Sequence, residues 1–320
     1  MNKKNTIAAV VVTYNRKELL VECINALLKQ THKLDAIYII DNASNDGTKE
    51  YLKEKKLLDK IKYFRLKKNT GGAGGFNYGI DKAYKNYAWI WAMDDDAIVY
   101  KDALEKLVNN KYYTDSKVGA LVCNTIYSKY LSFKISITLS AAISNEKIFQ
   151  NRKLNLEDFD NNFVRISTFS LLGILFRTNI IEEIGNVNKD FFIESDDLDF
   201  TLRISKKYKI IWVKNSRLLH KVHPELYLTK KILSRNIGYI DYKTLWKVYY
   251  GSRNHLYIMK INNLSIRINI IGYIKEFIFI SFFLDHKILR LKIFKEALID
   301  GYKGNLGIKY TPQNFLKKDH

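Results

Sequence analysis

Ile7-Ala8-Ala9-Val10-Val11-Val12-Thr13, followed at once by the polar Tyr14-Asn15-Arg16, decides the fold. A continuous β-branched apolar run with no alternation is the pattern of a parallel strand covered on both faces. Leu19, Leu20, Cys23, Ile24, Leu27 and Leu28 come next, on one helical stripe. Ala36 to Ile40 reads as a second strand, and the turn and cap residues from Asp41 to Thr48 start another helix near Thr48. Ile61 to Leu66 reads as a third strand, Gly75 to Lys85 as a helix, and Trp89 to Met93 as a fourth strand. Strands alternating with helices at this spacing predict a doubly wound α/β sheet, which binds ligands at the carboxyl ends of its strands. Asn15, Asp41, Asn69 and Asp94 all fall at such ends.

Downstream, Val118 to Asn124 reads as a fifth strand, whereas Thr125 to Val164 is too mixed to assign. Regularity returns with Ser167 to Phe176, a helix from Thr178 to Ile184, the acidic run Phe191 to Phe200 leading a helix to Lys207, and a strand from Ile210 to Val213. Beyond Pro224 the pattern is largely helical.

Three features carry chemistry. Asp94, Asp95 and Asp96 repel one another where a buried strand meets solvent, and carboxylate oxygens are what Mg²⁺ and Mn²⁺ prefer. Asn69-Thr70-Gly71-Gly72-Ala73-Gly74-Gly75 sets four glycines in five positions before a helix, a place where backbone amides can approach a diphosphate or a sugar. Its spacing matches neither a P-loop nor a dinucleotide fingerprint. Asp196 and Asp197 open a helix, whose dipole keeps carboxylates ionised. Taken singly, these have plainer readings as a solvated turn, a flexible loop and helix caps.

The chain's 320 residues, 47% hydrophobic and 27% charged, exclude a disordered protein. Cys23 and Cys123 both lie in apolar segments, as buried thiols of a reducing compartment would. The N-terminus meets its first strand too early for a signal peptide, so the expected location is cytoplasmic. The net charge is +20, and Leu226 to His320 holds 17 Lys and Arg against 6 Asp and Glu. Ile268 to Leu284 is apolar yet interrupted by Lys275 and Glu276, a poor membrane span. It suits either an anionic membrane surface or a packed helix pair.

The segments VVVTYNR, IIDNASNDGT, NTGGAGGFNYG, WAMDDD and ESDDLDF, in that order, resemble the family 2 glycosyltransferases of GT-A fold. The glycine loop with the Asp triplet looks most like the galactofuranosyltransferase and rhamnosyltransferase branch, and the likeness covers roughly Ile7 to Tyr257. The resemblance implies a Rossmann-like, mostly parallel sheet flanked by helices in residues 1–225, with a mainly helical basic region in 226–320. It implies inverting transfer of a sugar, galactofuranose foremost, from a UDP donor to a bacterial surface polysaccharide or polyprenyl-linked glycan, with rhamnose from dTDP as the alternative. No nucleic acid is expected; a homo-oligomer and peripheral contact with the inner membrane are compatible with it.

Carried over residue by residue, Thr13, Asn15 and Asp41 hold base and ribose, while Asn69, Gly71, Gly72, Gly74 and Asp95 complete the donor site. Asp94 and Asp96 match the metal-binding pair for Mn²⁺ or Mg²⁺. His220 matches a further metal ligand better than His223 does. Asp197 is implied as the base, with Asp196 orienting the acceptor. Arg253, in Tyr249-Tyr250-Gly251-Ser252-Arg253-Asn254, reads either as a phosphate contact or as a packing residue. A sugar-phosphate nucleotidyltransferase would need an Arg-containing Gly-rich loop directly after the first strand, which Thr13 to Lys17 is not. A non-catalytic basic module would bind polyanions without needing the aspartates.

Overall fold

A computed structural model describes residues 5–127, 161–221, 227–232, 235–263 and 266–316. The chain divides into two compact units, residues 1–189 with 197–222, and residues 190–196 with 223–320. The expected boundary after residue 225 and His223 both lie outside the described residues.

In the first unit β1 (Ile7–Thr13) is buried at all seven positions. Helix α1 (Lys17–Leu28) turns Leu20, Cys23, Ile24 and Leu27 onto the sheet; burying each such side chain contributes about 1.5–3 kcal/mol. Then come β2 (Ala36–Asp41), α2 (Thr48–Glu54), β3 (Lys62–Arg65), α3 (Gly71–Ala83), β4 (Trp89–Asp94) and β5 (Ala97–Val99). They are followed by α4 (Ala103–Val108), α5 (Lys111–Thr114), β6 (Val118–Tyr127), β7 (Phe163–Ile166), β8 (Ile174–Arg177), α6 (Ile181–Ile184), α7 (Asp196–Ser205) and β9 (Lys209–His220).

Among the described residues these strands form one nine-stranded sheet in the order β3-β2-β1-β4-β8-β6-β9-β5, with β7 paired to β9. The four strands β3, β2, β1 and β4 are parallel, as the strand and helix alternation requires. The rest is mixed: β8 runs antiparallel to both β4 and β6, while β9 is parallel to β6 and antiparallel to β5 and β7. This is an α/β fold of GT-A type. The direction of β8 could not be read from its three apolar residues, Ile174 to Phe176, since burial on both faces looks the same in either direction.

Helix α3 differs most from expectation. It starts at Gly71, so the glycine run forms the first turns of a helix and not a loop before one. A Cβ on Gly75 would stand 2.6 Å from the Val12 side chain, and one on Gly79 would stand 2.5 Å from Val10 and 2.8 Å from Ile40. These glycines therefore let the helix lie directly on β1 and β2.

The second unit contains an antiparallel hairpin, β10 (Tyr227–Ile232) and β11 (Arg235–Ile240), before its helices α8 (Leu245–Ile261), α9 (Ile266–Phe283), α10 (Lys287–Lys303) and α11 (Gln313–Leu316). Its core gathers Leu245, Tyr249, Tyr250, Ile293, Ala297 and Phe315. Helices α8 and α10 meet closely at Gly301, where a Cβ would come within 2.5 Å of the Arg253 carbonyl oxygen. Both cysteines are free and buried.

Candidate active site

Three strand ends converge on the Asp triplet. Asp94 closes β4, and the two aspartates after it form the turn into β5. Because β5 pairs with β9 in the register Ala97 to His220, the imidazole is delivered beside Asp96. His220 Nε2 lies 3.2 Å from Asp96 Oδ1, and the Lys221 amide donates to the Asp96 carbonyl at 3.0 Å. From the end of β1, Thr13 Oγ1 donates to Asp95 Oδ2 at 2.7 Å. Arg16 Nη1 bridges Asp95 Oδ1 at 3.2 Å and Asp96 Oδ2 at 2.9 Å.

Asp95 does not turn to solvent: it is 3% exposed, against 5% for Asp96. Burial pushes the Asp95 carboxyl up to about 6, against the pull of Arg16 and Thr13. Burial also raises Asp96, but its contacts with His220 and Arg16 outweigh that and leave it below the usual carboxylate range. Arg16 was not among the residues the sequence suggested. The available signal was a cation three residues beyond β1, the strand that pairs with β4 and so ends beside the triplet.

The donor set fits a hard divalent ion in part. Asp96 Oδ1 is buried, and beyond its approach to His220 it has no hydrogen-bond partner among the described residues. Two ligands at right angles around an ion ~2.1 Å away stand ~3 Å apart, close to the 3.2 Å seen here. Among the described residues no three His, Cys, Asp or Glu side chains surround one point. The Asp94 backbone carbonyl accepts from the Cys23 thiol at 3.8 Å. Two protein ligands suit an ion that completes its shell with substrate phosphates and water.

Beside the triplet, Asp41 pairs in register with Thr13 across β1 and β2. Asp41 is buried; Oδ1 accepts the Ser44 amide at 2.7 Å, and Oδ2 accepts the Tyr63 hydroxyl with Arg65 Nε 3.8 Å away. Asn15, at φ +54°, uses its side chain to hold the neighbouring turn, its Oδ1 accepting the Asn45 amide at 2.8 Å.

Asn42 is a second residue the sequence did not mark. Its Nδ2 donates to Asn69 Oδ1 at 3.1 Å and to the Gly71 carbonyl at 2.8 Å, while its Oδ1 accepts the Thr70 amide at 2.8 Å. Asn69 Oδ1 also accepts the Gly71 amide at 2.8 Å. Asn42 thus ties the end of β2 to the start of α3. Of the glycines proposed for the donor, Gly72 faces open space, whereas Gly74 packs on Thr70, whose side chain is 2.5 Å from the position a Cβ would take.

Asp196 and Asp197 occupy the first turn of α7, where Asp197 Oδ1 accepts the Leu198 amide at 2.7 Å. The chain before them is strained: Phe192, Glu194 and Ser195 all have φ between +63° and +67°, at about 1 kcal/mol or more each. Arg253 and Asn254 hold it there. Arg253 is 0% exposed and donates to the carbonyls of Asp190 at 3.3 Å, Phe191 at 3.0 Å and Gly307 at 2.6 Å, and to Asn254 Oδ1 at 2.8 Å. Asn254 Nδ2 faces the carbonyls of Phe191, Ile193 and Glu194 at 3.1, 2.9 and 2.8 Å. The packing reading of Arg253 is the one this geometry supports, because its nitrogens are already engaged. Asn254→Ala is expected to cost about 2–3 kcal/mol and to lower the melting temperature by several degrees; a thermal scan of the two proteins checks this.

Residues 8–184 match the sequence profile described as Glycosyl transferase family 2. Galactofuranosyltransferase GlfT1 of Mycolicibacterium smegmatis is 25% identical over 207 residues, covering 64% of this chain and 67% of that one. An uncharacterized glycosyltransferase of Rickettsia conorii is 40% identical over 99 residues, 31% of this chain and 16% of that one. The present chain therefore spans about two thirds of the first relative and about a sixth of the second. Among solved structures, GalNAc-T7 with UDP, GalNAc and Mn²⁺ matches with a TM-score of 0.61 at 15% identity, covering 94% of this chain and 56% of that one, a likeness of fold.

Proposed function

The chain belongs to glycosyl transferase family 2, and from that premise we propose a metal-dependent inverting glycosyltransferase that moves a sugar, galactofuranose foremost, from UDP to a hydroxyl of a cell-surface or polyprenyl-linked glycan. The observation that carries this reading is the meeting of Thr13, Arg16, Asp95, Asp96 and His220 at the strand ends, beside the amino end of the glycine helix. The galactofuranosyltransferase relative supports the sugar, and the neighbour crystallised with UDP and Mn²⁺ supports the donor class. Rhamnose from dTDP remains the alternative donor.

In this reading the diphosphate lies near Gly71 and Gly72, where helix amides favour an anion. Asp41, with Tyr63 and Arg65 beside it, accepts from the pyrimidine. Bound by Asp96 and His220, Mn²⁺ or Mg²⁺ would neutralise charge on the departing diphosphate. Arg16 and Thr13 hold Asp95 and Asp96 in place. Asp197 takes the proton of the acceptor hydroxyl as its oxygen forms the new glycosidic bond on the face opposite the leaving group. Asp196 orients that acceptor.

A thermal-shift panel tests the donor. UDP with Mn²⁺ is expected to raise the melting temperature by several degrees at about a hundredfold excess over Kd, which is worth about 2.7 kcal/mol. EDTA should remove most of that shift and GDP should produce little. A flat response to every pyrimidine diphosphate would overturn the proposal.

A further inference from the structure

Helix α9 is apolar on opposite sides. Its inner side, with Tyr273 and Ile280, together with Leu284 just after it, packs against Leu291, Phe294 and Leu298 of α10. On the outer side Ile271, Ile274, Ile278 and Phe282 follow at i, i+3, i+7 and i+11, one stripe of the helix. They are 58, 52, 46 and 72% exposed. Ile288, at the start of α10, is 87% exposed. A helix covering a core normally turns polar residues outward, and a contiguous exposed apolar face marks an interaction surface.

We propose that this face docks on an anionic lipid surface, with α9 lying in the plane of the headgroups. Charge selects this occupant. Lys275 borders the stripe, and Lys287, Lys292 and Lys295 are exposed on α10. Asp285 is neutralised by Arg290, and Glu276 falls on another side of the helix. The segment from Leu226 to His320 has 17 basic and 6 acidic residues, so a second copy would bring like charge to this face, whereas acidic headgroups would match it. Insertion across the bilayer is not available, since among the described residues no helix is long and apolar enough to cross a membrane. Apolar burial and basic attraction together are the two signals that stable peripheral binding needs. The inference does not depend on the donor, the metal or the base assigned above.

The full chain is to be sedimented with phosphatidylcholine vesicles, with and without phosphatidylglycerol, at low and high salt. Binding is expected to the anionic vesicles and to weaken several-fold with salt. Phe282→Ser should weaken it by about tenfold, and Lys287→Glu combined with Lys292→Glu by more, while UDP binding by both variants stays unchanged. Equal binding to neutral vesicles, no binding to either kind, or a dimer by light scattering that Phe282→Ser dissolves would each overturn the proposal.

Discussion

Asp197→Asn is expected to lower sugar transfer by about a thousandfold while leaving UDP affinity within about twofold, because a general base contributes typically 10²–10⁴ and acts only in the transition state. The substitution is mild structurally. A carboxamide oxygen can still accept the Leu198 amide that Asp197 Oδ1 accepts now, so the first turn of α7 keeps its cap. Single-turnover transfer and UDP titration on the same preparation separate the two effects. Turnover at the wild-type level would remove Asp197 from the mechanism and move attention to Asp196, one residue earlier on the same turn.

The second large effect is expected at Asp96. Asp96→Asn keeps the volume and leaves the Lys221 amide its acceptor, which is the backbone carbonyl. What it removes is the negative charge facing His220 and Arg16. The Mn²⁺-dependent part of UDP affinity should fall by about a hundredfold, or about 2.7 kcal/mol, whereas affinity in EDTA should match the wild type. Calorimetric titration of UDP with and without Mn²⁺ measures both. Unchanged affinity in Mn²⁺ would leave Asp96 as no more than a counter-charge for Arg16.

The parallel half of the sheet was legible because β1 and β4 are unbroken apolar runs with a helical stripe or a turn signal on either side. The antiparallel half was not. β8 is four residues long, and its Leu175 pairs with Trp91 of β4 and Leu121 of β6, 84 and 54 positions earlier, through tertiary contact alone. The hairpin of β10 and β11 was hidden in a stretch whose composition otherwise reads as helical.

The site divides in the same way. Asp95, Asp96 and Asp41 announced themselves as carboxylates at strand ends, and His220 came through the family resemblance. Arg16 and Asn42 did not, since an arginine or an asparagine in a turn is ordinary until the fold shows what it faces. Arg253 was visible, but its direction was not: only the structure shows the guanidinium turned inward onto the carbonyls that precede α7.

Helix α3 rests on the sheet with only hydrogen atoms at Gly75 and Gly79 between its backbone and the side chains of Val10, Val12 and Ile40. Such a seat leaves no slack. The amides at its leading end share the rigidity of β1, buried at all seven positions, so the diphosphate proposed to bind there would meet a surface already in its final form and would lose little ordering entropy on association.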